Sequence, residues 1–163
     1  MDKIPIAVLI GNGSKLPAII KASKSPKSKF FINLVISHKK ESAGIKTALN
    51  NNIPSAYFNL PDFRKRFSNS TEIAKQEYSK VLGWFISQGN YSPRFLVFAG
   101  WDLILGKSFF NYFKSRIGDG FAAINIHPAI MPLKNEGKLI KLPDGSFTDI
   151  IKGEQSDVLK SVL

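Results

Sequence analysis

The sequence predicts an α/β protein built on a doubly wound, mostly parallel sheet with helices on both faces. Stretches typical of strands alternate along the chain with stretches typical of helices, giving five strands and four helices between them. The first strand-like run, 4–10, is almost unbroken in apolar residues, which is typical of a parallel strand buried on both faces. The alternation and the buried run together favour a single sheet whose strands are linked by crossover helices.

The predicted strands are apolar runs bounded by turn-forming or polar residues: 4–10, 30–37, 55–60, 95–100 and 121–126. The first helix is predicted to begin at Lys15, with Ser14 as its cap and Pro17 in its first turn. The lysine- and serine-rich segment 21–29 is predicted to be a loop.

The later helices are recognised by apolar residues at helical spacing: Ile45, Ala48 and Leu49, then Ala74, Tyr78, Val81, Leu82 and Phe85, then Phe109, Phe110 and Phe113. Residues 69–72 resemble a capping box before the third helix. After Pro132 the pattern weakens to a possible Asp144–Gly145 turn and a weak last helix, with no strong strand. We predict an α/β domain over 1–133 and a divergent or incomplete tail over 134–163.

Composition excludes several classes of protein. The 163 residues correspond to one domain, and the absence of cysteine excludes disulfide scaffolds and thiolate sites. With only His38 and His127 the chain predicts no metal site. The longest early apolar run, 6–10, is too short for a membrane span or a secretory core. We therefore predict a soluble, cytoplasmic protein.

The net charge of +11 is concentrated near the N-terminus, where lysines crowd the segment 21–29. A surplus of this size is compatible with binding to nucleic acid, to an anionic surface or to an anionic small substrate. It is equally compatible with a solvated lysine-rich face that binds nothing.

Ligands of open parallel sheets bind beyond the carboxyl ends of the strands, and three segments end there. In Gly11–Ser14, glycines and helix-start amides could approach a phosphate, although a plain strand-to-helix turn is as compatible. Asn125 and His127 are two residues apart and share one direction on a strand. They could polarise a carbonyl and shuttle a proton, or could form a structural pair. The apolar run 99–105 could form a slot for a flat heterocycle, or could be core.

Together the glycine turn, the loop after Ala99-Gly100-Trp101 and the N-I-H-P-A segment followed by Pro132 resemble the glycinamide ribonucleotide formyltransferase family of purine synthesis. The resemblance covers residues 4–133. It implies a Rossmann-like formyltransferase fold and transfer of a formyl group from 10-formyltetrahydrofolate to the amine of glycinamide ribonucleotide.

The resemblance also implies roles for particular residues. Asn125 would bond the developing oxyanion, and His127 would support that charge and take part in proton transfer. The remaining positions divide between the ribonucleotide phosphate, held by Gly11, Asn12, Gly13 and Ser14, and the folate, held by Lys75, Leu103, Ile104 and Leu105.

The chain departs from the family pattern at several positions. Ile10 stands where the family has a serine, Lys15 replaces an asparagine, and Lys75 replaces an arginine with its planar fork. The family's catalytic aspartate would fall at or beyond Leu163, so no such role is carried to the aspartates of the tail, Asp144, Asp149 and Asp157. The expectation is a C-terminally shortened family member that catalyses poorly.

Two alternatives to that enzyme remain open. The chain could be a non-catalytic protein that keeps a ribonucleotide or folate site, or that uses its basic N-terminal half on nucleic acid. It could also be a methionyl-tRNA formyltransferase, although the sequence shows no second, tRNA-binding domain.

Overall fold

The computed structural model describes residues 2–67, 70–114, 122–126, 139–141 and 147–149. The chain divides into two units, one ending at Asn125 and one beginning at Ile126. The first unit contains one sheet with its helices, and the described part of the second is a pair of short strands.

The sheet of the first unit has five strands, all parallel: β1 (Ile4–Ile10), β2 (Phe30–Ser37), β3 (Ser55–Tyr57), β4 (Phe95–Ala99) and β5 (Ala123–Asn125). Their spatial order is β3-β2-β1-β4-β5, so the chain builds outward on one side of β1 and then on the other. The order of the strands therefore reverses between β1 and β4. The predicted parallel α/β fold is confirmed.

In the described part of the chain, five α-helices accompany the sheet: α1 (Leu16–Lys24), α2 (Ala43–Asn50), α3 (Leu60–Arg66), α4 (Thr71–Ser87) and α5 (Lys107–Phe110). The predicted start of α1 was wrong by one residue, because Lys15 occupies the cap position and no side chain caps the helix. The loop predicted from residue 21 was also wrong, since the helix continues to Lys24. Lys21 and Lys24 lie in its last turn, where positive charge is favourable to the helix dipole.

Helix α3 was not predicted, because residues 55–60 were assigned to one strand that in fact ends at Tyr57. The side chain of Asn59 accepts a hydrogen bond from the N–H of Asp62 and starts the helix there. Helix α4 begins similarly, with Ser70 Oγ accepting from Ile73 N at 3.2 Å. The predicted capping box was wrong, since Ser70 is the cap and its third helical residue is Ile73.

The core lies on both faces of the sheet. Alternate residues of β1 point to opposite faces, and Ala7 and Leu9 pack in one cluster with α3, α4 and α5. That cluster includes Tyr78, whose hydroxyl donates to the carbonyl of Phe58 at 3.0 Å. On the other face Ile10 lies against α2. The sheet is therefore covered by helices on both sides, as predicted.

Strand β2 contains a β-bulge. Ile6 pairs with Ile32, but the next residue, Ala7, pairs with Leu34, so Asn33 is one extra residue in β2. Asn33 is buried, and its Nδ2 donates to the carbonyl of Tyr91 at 3.0 Å.

The second unit contains two short antiparallel strands, β6 (Leu139–Lys141) and β7 (Phe147–Asp149). The sequence analysis predicted no strong strand here, and each of these strands has only three residues. The predicted Asp144–Gly145 turn and the predicted last helix lie outside the described residues. The boundary after residue 133 stays a prediction. Among the described residues, no helix is long and apolar enough to cross a membrane.

Tyr78 offers a test of the core. It is 1% exposed, and burial raises the pKa of its phenol, so the hydroxyl remains a donor to the Phe58 carbonyl. We expect Tyr78→Phe to lower the free energy of unfolding by about 1 kcal/mol, because that part-buried carbonyl loses its donor. Urea unfolding followed by circular dichroism measures this.

The matched control is Tyr91→Phe, which removes the same atom from a side chain that is 47% exposed. We expect it to leave the free energy of unfolding unchanged within about 0.5 kcal/mol. Equal losses in the two variants would contradict the role of the Tyr78 hydroxyl.

Candidate functional site

Three loops follow adjacent strands at the carboxyl edge of the sheet: 11–15 after β1, 38–42 after β2 and 100–106 after β4. Because the strands are parallel and neighbouring, these loops lie at the same edge. The change in strand order between β1 and β4 makes this edge the place where open α/β sheets bind ligands.

The loop after β1 is held by backbone hydrogen bonds to both of its neighbours. Gly11 N donates to the carbonyl of Gly100 at 2.9 Å, which ties it to the loop after β4. Gly44 N donates to the carbonyl of Asn12 at 2.9 Å, which ties it to the start of α2. Two buried hydroxyls, Ser37 Oγ and Ser42 Oγ, each donate to the carbonyl of Gly11 at 2.8 Å.

Glycine is required at three positions around this loop. A Cβ on Gly11 would lie 2.6 Å from the carbonyl oxygen of Gly100, and one on Gly13 would lie 2.5 Å from Gly44 Cα. Gly13 also has a φ of +86°, which side chains rarely adopt. A Cβ on Gly44 would clash with the side chain of Ile10 and with the Cα of Gly13. The loop and α2 therefore touch backbone to backbone.

The same geometry leaves amide groups unused. Among the described residues, the N–H groups of Asn12, Gly13 and Ser14 donate to no protein acceptor. Asn12 and Ser14 are exposed, and α1 begins two residues after Ser14. Unpaired N–H groups beside a helix start are suited to an anion. In the predicted segment Gly11–Ser14, three amides thus have no protein acceptor among the described residues, whereas the amide of Gly11 donates to Gly100.

The loop after β4 begins with a sharp turn, at Gly100 with φ of +81°. Leu103 and Leu105 pack against the core cluster, whereas Ile104 is 77% exposed. Among the described residues, no backbone group of these three is hydrogen-bonded to the protein. The loop therefore combines two apolar side chains turned to the core with backbone groups that a ligand can reach.

Helix α4 holds the far end of this loop. Ser79 Oγ accepts a hydrogen bond from Gly106 N at 2.9 Å and donates to the carbonyl of Lys75 at 2.7 Å. Ser79 is buried and Lys75 is half-buried. Lys75 thus lies one helical turn before the residue that anchors the loop.

Asn125 ends β5, the strand beside β4, and pairs in register with Phe98. Its side chain is exposed, so its amide is accessible at the same edge. His127 lies outside the described residues. The described residues therefore bring together two of the three predicted segments and one member of the third.

A histidine that was not selected from the sequence begins the loop after β2, and its buried side chain contacts the loop after β4. His38 Nε2 is 2.6 Å from Asp102 Oδ1, and Lys39 Nζ is 3.3 Å from Asp102 Oδ2. The His38 side chain is 8% exposed and meets Trp101 edge to face at 4.8 Å. Burial lowers the pKa of His38 from its ordinary value, Asp102 opposes this, and Lys39 adds a smaller lowering effect.

The signals that could have found these residues are positional. Ser37 ends an apolar strand and His38 follows it, just as Gly11 follows β1, and Asp102 is the one acid in an apolar run. Gly44 could have been singled out as a glycine near a helix start. The candidate segments predicted from the sequence follow β1, β4 and β5, and none of them follows β2.

The lysines that dominate the charge lie elsewhere. Helix α1 starts at the carboxyl edge and runs back toward the start of β2, so its last residues are at the opposite edge. Lys21 and Lys24 line a groove there of about 560 Å³ with Thr47 and Asn51, and Lys24 Nζ donates to Asn51 Oδ1 at 2.6 Å. The lysine-rich segment is therefore separate from the candidate site.

Comparison with known proteins identifies the family. The model of the formyl transferase family matches residues 4–135. Among curated proteins, phosphoribosylglycinamide formyltransferase of Saccharomyces cerevisiae is 31% identical over 132 residues, covering 77% of this chain and 58% of that protein. The Escherichia coli enzyme of the same name is 32% identical over 128 residues, covering 78% of this chain and 52% of that protein.

Solved structures agree with the sequence comparisons. The phosphoribosylglycinamide formyltransferase of Coxiella burnetii superposes with a TM-score of 0.62 at 31% identity, covering 82% of this chain and 55% of that one. Glycinamide ribonucleotide transformylase 1 of Symbiobacterium toebii, at 16% identity, shares the fold with a TM-score of 0.67 over 98% of this chain and 80% of that one. The chain spans little more than half the length of the curated relatives named above. The match to most of its residues nevertheless shows that the chain belongs to the formyl transferase family, among the relatives of phosphoribosylglycinamide formyltransferase.

Proposed function

We propose that this protein takes part in purine synthesis by transferring a formyl group from 10-formyltetrahydrofolate to the primary amine of glycinamide ribonucleotide. One observation carries the proposal. At the edge of the sheet where the strand order changes, a loop with unused N–H groups lies beside a loop with unused backbone groups and apolar side chains. The names of the relatives supply the reaction that would use both loops.

The glycine loop is proposed to bind the phosphate of the ribonucleotide. The N–H groups of Asn12, Gly13 and Ser14 are directed at no protein acceptor among the described residues, and α1 adds the positive end of its dipole. The missing Cβ atoms of Gly11 and Gly13 leave room for the backbone of Gly100 and Gly44, so these glycines allow the loop to adopt the conformation that presents its N–H groups.

The loop Leu103–Leu105 is proposed to bind the pterin ring of the folate. A flat heterocycle with donors and acceptors on its edge fits a loop that offers unused N–H and C=O groups and little side-chain polarity. The folate supplies the formyl group when it is bound. Lys75, near the far end of the loop, supplies a positive charge for the acidic part of the folate.

Asn125 and His127 are proposed to serve the transfer itself. The substrate amine attacks the formyl carbon, forming a C–N bond and a tetrahedral oxyanion to which the Asn125 amide donates. His127 supports that charge and takes part in moving a proton from the attacking amine to the departing folate nitrogen. Breakage of the carbon–nitrogen bond to the folate completes the transfer.

The phosphate assignment is tested by Gly13→Ala. The new Cβ would lie 2.5 Å from Gly44 Cα, so the loop must shift and its N–H groups no longer point toward the bound phosphate. We expect the affinity for glycinamide ribonucleotide, measured by calorimetric titration, to fall about tenfold or more, or about 1.4 kcal/mol.

Gly89→Ala is the matched control, because Gly89 also has a positive φ but has no atom within 4 Å of its Cβ position. Both variants therefore have the same type of backbone strain, and only Gly13→Ala disturbs the loop. The phosphate assignment is wrong if a folded Gly13→Ala protein binds the ribonucleotide as tightly as Gly89→Ala does.

The pterin assignment is tested by two changes at Ile104, whose exposed side chain contributes little to the core. Ile104→Ala keeps the N–H and is expected to keep the affinity for 5-formyltetrahydrofolate within about twofold. Ile104→Pro removes the N–H and is expected to weaken it about tenfold. Calorimetry on both folded variants measures the difference, and equal affinities would move the pterin elsewhere.

The catalytic assignment is tested by Asn125→Ala, with Ile124→Ala as its exposed neighbour control. Removal of one oxyanion donor is expected to lower kcat about 10²-fold, whereas the control stays near the parent. The measurement is a formyl-transfer assay with both substrates. A kcat of Asn125→Ala equal to that of Ile124→Ala would refute the assignment. A parent that binds both ligands without transferring the group would instead support the non-catalytic alternative.

A further inference from the structure

The contact between His38 and Asp102 joins two strands that are not neighbours. His38 directly follows β2 and Asp102 lies just after β4, and β1 runs between these strands. A contact from one to the other must therefore cross the end of β1. The residue at that end is Gly11, where a Cβ would lie 3.6 Å from His38 Nε2.

Polar contacts hold the Asp102 side of this contact, and packing against Trp101 holds the His38 side. Asp102 is contacted by His38 and Lys39 on separate carboxylate oxygens, at 2.6 Å and 3.3 Å. The imidazole itself is shielded from water and rests edge to face on Trp101, which is buried. Asp102, in contrast, is 57% exposed, so without these partners it would be a surface residue free to move.

The position of Asp102 matters because it precedes Leu103–Leu105. The chain turns at Gly100 with φ of +81° and then has two fixed points before this loop, namely buried Trp101 and the carboxylate of Asp102. The far end of the loop is fixed by Ser79, which accepts from Gly106 N. The loop is thus held at both ends, by β2 at its start and by α4 at its end.

We propose that His38 is a positioning residue for folate binding. By contacting Asp102 across Gly11, it holds the start of the Leu103–Leu105 loop in the geometry that binds the folate. This rests on the proposed function, since the loop is the proposed pterin site. The glycine loop does not depend on the contact between His38 and Asp102, because hydrogen bonds from Ser37, Ser42 and Gly44 hold it independently. The role of His38 is therefore selective for one of the two ligands.

Binding to the full chain tests this selectivity. We expect His38→Ala and Asp102→Ala each to weaken 5-formyltetrahydrofolate about tenfold, while glycinamide ribonucleotide affinity stays within about twofold. The double variant is expected to lose no more than either single variant, because both remove one interaction. His38→Gln, which keeps a polar side chain near the same place, is expected to restore most of the folate affinity.

The contact has a spectroscopic test that does not depend on ligand. In the His127→Gln background the remaining imidazole proton signals belong to His38. Its pKa is expected below the ordinary 6.5, because burial outweighs the charge of Asp102. Asp102→Asn removes the opposing charge while Lys39 remains, so the pKa of His38 is expected to fall further. A pKa that does not move would overturn the contact.

The remaining outcomes separate the two ideas. A parent that binds neither ligand would overturn the proposed function and the role of His38 with it. A parent that binds both, with folate affinity unchanged in His38→Ala, Asp102→Ala and the double variant, would overturn only the role of His38. Equal losses of both ligands would also overturn it, because they would show a general structural effect.

Discussion

Two buried hydroxyl groups donate to a single carbonyl oxygen, that of Gly11, and the geometry of the carboxyl edge depends on this arrangement. Ser37 and Ser42 fix the peptide plane from the side of β2 and α2. The N–H of Gly11 donates to Gly100 on the other side. The end of β1 is thereby joined to the chain that follows β2 and to the chain that follows β4. The proposed phosphate and pterin loops take their relative places from this one residue.

The sequence was sufficient to predict the sheet, because β1, β2 and β4 are apolar runs typical of buried parallel strands and segments with helical spacing separate them. It was insufficient for α3, a helix of seven residues that adjoins an apolar strand and contains Pro61. A short helix of this kind has too few residues to show its periodicity, and its start depends on the side chain of Asn59. Similarly, lysine content at 21–24 suggested a loop, although lysines in a last turn stabilise a helix.

The candidate site was predictable where it follows from strand ends, since that rule selected the segments 11–14 and 99–105, and the family resemblance then implied Leu103–Leu105 within the second. The contact between His38 and Asp102 was not predictable, since it joins residues far apart in the sequence across an intervening strand. The net charge of the chain also failed to predict the position of the candidate site, for a physical reason. A charge total carries no position, and the lysines of α1 lie at the edge opposite the loops that would bind anionic substrates.

The extra residue in β2 decides which side chains can serve this edge. Ile32 shares a face with Ile6, and beyond Asn33 the alternation resumes in the opposite phase, with Leu34 beside Ala7. Ser37 faces Gly11 only because of that change of phase. A strand of the same length without the bulge would continue the alternation set by Ile32, so it would present Ser37 to the helical core and Ile36 to the glycine loop. The bulge at Asn33 therefore determines which face Ser37 occupies, and through it the hydrogen bond that holds the glycine loop.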